Sequence, residues 1–250
     1  METKTLAHRI REHALQMTHD AKSSHIGGCL SIADILAVLY IDIIQSGDHF
    51  ILSKGHSCVA LYATLAEIGT IPLQSLKTFS CDGSQLAGHV DHHVSGIEVS
   101  TGSLGHGLSM GCGMAIGDRN RVVVLMSDGE CDEGSTWEAA LFAHHHHLSN
   151  LIVIIDYNKI QSLGKIEDIL SLEPFAAKWK AFGWHVTEID GHNHKQIREA
   201  LSPYPMLSGP KCVIAHTVKG KGVSFMEHQV AWHYKSVNDV ELLRALEELQ

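Results

Sequence analysis

No apolar run in this 250-residue chain approaches the roughly 20 residues that a membrane-spanning helix needs. The opening stretch METKTLAHRIREHALQ alternates charged with apolar residues and has no signal-peptide core, so a cytoplasmic location is expected. A basic block is also missing. Nineteen Lys and Arg against 28 Asp and Glu leave a formal charge of −9, and no stretch could follow a phosphate backbone. Neither nucleic acid nor a membrane is therefore an expected partner. There is no C-x-x-C pair: the six cysteines (Cys29, Cys58, Cys81, Cys112, Cys131, Cys212) are scattered, which argues against a disulfide framework and a zinc ribbon. They read as reduced thiols. Internal repeats and low-complexity linkers are absent too, and the only turn-rich connection is SPYPMLSGP at 202–210. A single domain over residues 1–250 is the simplest organisation.

What is present is a 44% hydrophobic composition, ample for a buried core. Apolar β-branched runs predict strands at Arg121–Ser127, Leu151–Tyr157, Trp184–Ile189 and Lys211–His216. Helical periodicity predicts helices near 5–19, 31–44, 56–68, 105–116, 135–147, 174–182, 193–201 and 238–249. Strands alternating with helices imply an α/β fold, a parallel sheet with helices on both faces.

Ligands of such sheets collect outside the carboxyl ends of the strands. There the chain reads VVVLMSDGECDEG (122–134), five apolar residues followed by acids and glycines. The next strand, LIVIID, leads into Tyr157, Asn158, Lys159 and Ile160. Asp128 and Asn158 thus fall at equivalent ends of two successive strands, expected to be neighbours. A carboxylate and a carboxamide so placed can share one hard cation. Magnesium prefers about six oxygens and takes only one or two carboxylates, so the remaining ligands point to water and a diphosphate. Gly129 would let that anion approach the backbone, and the free N–H groups opening helix 135–147 would favour its charge. Asp-Gly after a strand is also a common turn, and Asp128 alone reads equally as a helix-entry residue.

The segment SDGECDEGSTWEAALFAHHHHLSNLIVIIDYNKIQ resembles the cofactor segment of the transketolase family, G-D-G-E-x-x-E-G-x-x-W-E-A followed by D-x-N. AKSSHIGGCLS, FILSKGHSCVALYATL, LAGHVDHH, STGSLGHGLSMGCGMAIG and AHTVKGKGVSFMEHQVAWH resemble further motifs of that family, in the same order, over about residues 5–235. Three positions depart from it: Ser127 for the first Gly of G-D-G, Ser103 for the Pro of G-P-L-G, and Tyr234 after the Trp-His pair. They point to a specialised substrate. The resemblance implies thiamine diphosphate with Mg²⁺ (or Ca²⁺ or Mn²⁺), and metal ligands Asp128, Asn158 and the carbonyl of Ile160. It implies that Gly129, Glu130 and Lys219 hold the diphosphate or its surroundings. Gly102, Ser103 and Leu104 would meet the aminopyrimidine, and His25, His56, His89 and His233 would contact sugar hydroxyls and cofactor. Imidazoles suit that task, since ketol chemistry needs proton donors and acceptors near neutral pH.

Twenty histidines make any single one a poor clue. The run at 144–147 could chelate metal or be an artificial tag, and neither reading is favoured. Trp137, Leu141 and Leu148 lie at core spacing. Of Glu130, Asp132 and Glu133, a solvated turn in their own right, the resemblance places Glu133 in a buried acid network at a subunit boundary. The family's activating glutamate lies in a second, pyrimidine-binding domain, whereas this sequence stops after the diphosphate half. It is similar to the N-terminal subunit of a split transketolase, implying a C-terminal partner subunit with that glutamate, a heterotetramer, and a sugar or sugar-phosphate substrate. KGKGVSFMEHQVAWH is expected to be a loop that orders on docking. The rival readings are a 2-oxo-acid-decarboxylating or condensing relative, and a catalytically silent regulatory subunit of the same fold.

Overall fold

The strands form where the chain runs apolar and β-branched. The computed structural model describes residues 1–202 and 208–250, so the middle of the turn-rich connection expected at 202–210 lies outside the described residues. Five strands, β1 (His49–Leu52), β2 (Val122–Ser127), β3 (Leu151–Tyr157), β4 (His185–Asp190) and β5 (Lys211–His216), pair in parallel in the order β1-β2-β3-β5-β4. Four match the expected strands to within one residue at either end. The fifth, β1, is new: its four residues are too few to show a period, and its sequence stood out only as part of a motif.

The helices are α1 (Thr3–Asp20), α2 (Ile26–Ser31), α3 (Ala33–Val38), α4 (Cys58–Glu67), α5 (Gly107–Gly117), α6 (Gly134–His145), α7 (Ile166–Ile169), α8 (Phe175–Ala181), α9 (His194–Leu201) and α10 (Asp239–Leu249). The helix expected over 31–44 is α3 continued by a π-helical turn at Leu39–Ile43. None of the described helices is long and apolar enough to cross a membrane.

Alternation along β2 divides the core in two. Val123 and Leu125 pack with α1, α3, α4, α9 and α10, while Val122, Val124 and Met126 pack with α5, α6 and α8. Every residue of β2 is buried, as a central parallel strand covered on both faces requires. Edge strand β4 instead exposes Thr187 and Glu188, which discourages pairing with another chain.

One core expectation needs correction. Leu148 is buried, and the indole of Trp137 sits 5.2 Å from Trp179 and 5.0 Å from Phe182, but Leu141 is 58% exposed. The buried stripe of α6 is Thr136, Ala139, Ala140 and Ala143, at i, i+3, i+4 and i+7, which turns Leu141 and Phe142 outward. All six cysteines are free thiols; five are buried and Cys81 is exposed.

Candidate functional site

Four adjacent strand ends deliver side chains to one place. β1 runs into Ser53 and Lys54, β2 into Asp128, β3 into Asn158, and β5 into Thr217 and Lys219. Because Ser127 pairs with Asp156 in register, Asp128 and Asn158 leave neighbouring strand ends within one residue of each other, and both line one cavity, as expected. A cavity of about 290 Å³ opens there. His25, His56, His89 and His233 line it together with Gly102, Leu104, Asp128, Gly129, Asn158, Ile160 and Lys219.

The three expected metal ligands present oxygens of different kinds. Asp128 is 2% exposed; its carboxylate accepts the N–H of Gly129 at 2.8 Å and of Lys159 at 2.6 Å. Burial, then the neighbouring Asp156 carboxylate, push its pKa up to about 7. The Asn158 amide is held in one orientation: Nδ2 donates to Asp156 at 3.0 Å and Oδ1 accepts from the Ile160 N–H at 3.1 Å. Asp156 is fixed in turn by Lys54 at 2.5 Å, Ser31 at 2.7 Å and Thr217. Although burial works against ionisation, the Lys54 ammonium and these hydroxyls hold the Asp156 carboxyl below its ordinary value. The Ile160 carbonyl accepts from Lys219 Nζ at 3.0 Å. A carboxylate, an amide oxygen and a main-chain carbonyl form a hard, all-oxygen donor set of the kind magnesium takes.

The histidines gather on the other wall. The ring of His25 lies 5.2 Å from His56, 6.1 Å from His89 and 5.0 Å from His233. His25 adopts a left-handed backbone (φ 73°), uncommon for a residue with a Cβ, and its N–H bonds the carbonyl of His233 at 2.8 Å. Burial, then the neighbouring His89, lowers the pKa of His25 to about 4. Burial, then Lys219, lowers that of His233 to about 3, and burial with Lys54 holds His56 well below its ordinary value. These three imidazoles are neutral near pH 7 and can both give and take a proton. In His233 the tautomer is set: Nδ1 lies 3.0 Å from Lys219 Nζ, which donates, so the ring proton sits on Nε2. Tyr234 lines the same cavity, its ring 4.9 Å from that of His233.

Several expected residues stand elsewhere. Glu130 is fully buried behind the cavity and accepts from Ser53 Oγ, the Gly105 N–H at 2.9 Å and the Ser127 N–H at 3.3 Å. It braces the walls instead of lining them, because a 3₁₀ turn at Gly129–Asp132 folds it inward. That turn also separates β2 from α6, so Gly129, and not the α6 N-terminus, faces the cavity. Ser103 is exposed and lines an adjoining groove with His106 and Met110. Glu133 is exposed, while Asp132 bonds Gln161 at 2.6 Å. The segment expected to be a mobile loop is packed into the domain through Val223, Met226 and Trp232. Among the described residues, the one group of three side chains spaced to ligate a metal is Asp91, His92 and His93, not the histidine run at 144–147. The sequence reading missed Lys54 and Asp156; the signal was there, an acid closing the apolar run LIVIID and a lysine just beyond FIL.

Comparison with known proteins agrees with this fold. The family profile described as transketolase, thiamine diphosphate binding domain, matches residues 2–248. A 6-deoxy-6-sulfo-D-fructose transketolase subunit of Clostridium sp. is 39% identical, over 98% of this chain and 94% of its own. An apulose-4-phosphate transketolase subunit of Phocaeicola vulgatus is 40% identical, over 94% and 90%. The transketolase of Leishmania mexicana superposes with a TM-score of 0.92 at 27% identity, covering 100% of this chain but 41% of that one. The chain spans about two-fifths of the length of such one-chain relatives and nearly the whole length of the two subunits. By its fold and its sequence, this chain belongs to the transketolase family, matching that family's thiamine diphosphate binding domain.

Proposed function

We propose that residues 1–250 are one domain serving as the diphosphate-binding subunit of a two-chain transketolase, which moves a two-carbon ketol unit from a ketose to an aldehyde. The observation that carries this reading is the meeting, in one cavity, of three oxygen donors and four histidines. Asp128, Asn158 Oδ1 and the Ile160 carbonyl would hold Mg²⁺, with Ca²⁺ or Mn²⁺ as substitutes. Gly129 and Lys219 would flank the diphosphate, with Glu130 bracing that wall from behind. Gly102 and Leu104, which line the cavity, would border the aminopyrimidine. When bound, thiamine diphosphate supplies the electron sink for cleavage beside the donor carbonyl. His25, His56 and His89 would bind donor hydroxyls and exchange protons with them, and the Nε2–H of His233 would donate to an oxygen in the cavity. A wall of four histidines suits a donor with several hydroxyls better than a 2-oxo acid, which offers fewer groups to bind.

A partner is implied because the two full-length relatives are each named as a transketolase subunit. That partner would be the C-terminal subunit with the pyrimidine-binding domain and its activating glutamate, two copies of each chain forming a heterotetramer. The apolar side chains exposed on α5 and α6 offer it a seat. Five buried free thiols fit a cytoplasmic setting. The substrate is read as a sugar or sugar phosphate.

The test is to mix the purified chain with its partner and compare a ketose or hydroxypyruvate with pyruvate, which lacks the C1 hydroxyl. Turnover should require both chains, and His25→Ala and His89→Ala should lose about 100-fold or more on the hydroxylated donors but far less on pyruvate. Equal losses on both donors, or full turnover by this chain alone, would remove the assignment.

A further inference from the structure

Behind the cavity, one carboxylate ties together the two residues that grip a turn of the site. Asp34, in the first turn of α3, is 7% exposed. It accepts from Arg11 Nη2 at 2.5 Å, His192 Nδ1 at 2.8 Å and His194 Nε2 at 2.9 Å. Arg11 passes on to donate from Nε to the Lys221 carbonyl at 3.1 Å, and His192 Nε2 accepts the N–H of Val218 at 2.8 Å. His192 therefore carries its proton on Nδ1, the side facing Asp34. The second ring, His194, is steadied at Nδ1 by Thr3 at 2.8 Å.

The two grips, on Val218 and Lys221, bracket a tight turn. Within it the Lys221 N–H returns to the Val218 carbonyl at 3.1 Å, and the Gly220 N–H bonds Gly27 at 2.9 Å. Between the grips stands Lys219, 2% exposed, whose stem crosses Gly27 so closely that a Cβ there would lie 3.0 Å from Lys219 Cγ. Its ammonium can meet the Ile160 carbonyl and His233 Nδ1, each at 3.0 Å, only if the turn is held in place.

We infer that Asp34 is a positioning residue for Lys219: through His192 on Val218 and Arg11 on Lys221 it fixes the turn that aims the ammonium into the cavity. A long side chain loses its useful geometry when its supporting shell loosens, and loss of such support around a bound ion typically costs 10–100-fold. Asp34 touches nothing in the cavity itself, so its effect would be indirect. That Lys219 serves the cofactor rests on the function proposed above; the fixing of the turn does not.

Hydrogen exchange on the full chain tests the first part. In Asp34→Asn the Val218, Gly220 and Lys221 amides should exchange about 10-fold faster or more, with β2 unchanged. His192→Gln keeps an acceptor at the Nε2 position and should stay near wild type, while His192→Phe should behave like Asp34→Asn. Unaltered exchange in the turn, a rise spread equally over β2 and β3, or equal effects of the two His192 variants would overturn the inference. Calorimetric titration of the assembled complex with thiamine diphosphate and Mg²⁺ tests the second part. Asp34→Asn should weaken binding about 10-fold or more, and adding it to Lys219→Met should weaken binding no further. Full affinity in Lys219→Met alone would remove Lys219 from the proposed function, leaving the exchange result to decide the role of Asp34.

Discussion

Asp128 is the only carboxylate among the three oxygens gathered where β2 and β3 end, so the charge balance of a bound divalent ion rests on it. Asp128→Ala should abolish binding of thiamine diphosphate with Mg²⁺ in the assembled complex and leave the fold intact. Titration calorimetry with a circular dichroism control reads both; unchanged affinity in a folded variant would take Asp128 out of the site. The neutral histidines make a second, cofactor-independent prediction. His25 has a pKa of about 4 when folded, against an ordinary 6.5, so between these values the unfolded chain binds a proton that the folded chain refuses. Stability should therefore rise with pH through that window and fall as the pH is lowered through it. Thermal midpoints measured across the window should slope less steeply in His25→Asn than in wild type, and parallel slopes would contradict the burial argument. At this scale the sequence showed the residue types and their order but not their facing. Glu130 sits in the same acid-glycine run as Asp128, yet one 3₁₀ turn sends it behind the wall. His192 stands 158 positions along the chain from Asp34, and only folding reveals that the two meet.

Among the elements, α5 and α6 are neighbouring helices that leave large apolar side chains in solvent. Ile116 is 54% exposed, Leu141 58% and Phe142 42%, on two helices that pack against one another over the sheet. A chain standing alone gains nothing from such exposure, whereas a partner could cover it. The double variant Leu141→Asp, Phe142→Lys should keep its own stability within about 0.5 kcal/mol per site and lose association with the partner subunit. Thermal denaturation and sedimentation velocity would show the two effects separately; normal assembly would move the interface elsewhere. The same helices explain what sequence reading could and could not deliver. Long central strands were legible because a parallel strand buried on both faces is a continuous apolar run, while β1 at four residues showed no period. Helical spacing located α6 but not its inward face, since the sheet receives alanines and the larger leucine points out.

For the molecule as a whole, the single parallel sheet brings β1, β2, β3 and β5 to one rim, and this was foreseeable from alternating strands and helices. A wall supplied by the proposed partner subunit was legible only through the family resemblance, because its residues would lie in another chain. Burial of the cysteines has a practical consequence. Cys29, Cys58, Cys112, Cys131 and Cys212 lie inside the fold, and burial raises their thiol pKa values, to about 11 for Cys29 and about 12 for Cys112. Cys81 alone is exposed. A maleimide dye at neutral pH should thus attach once per chain, seen as a single mass increment in the native protein and six in denaturant. The fold comes with its own unique attachment point, and a fluorophore there would allow partner association to be followed by anisotropy without engineering away a single residue.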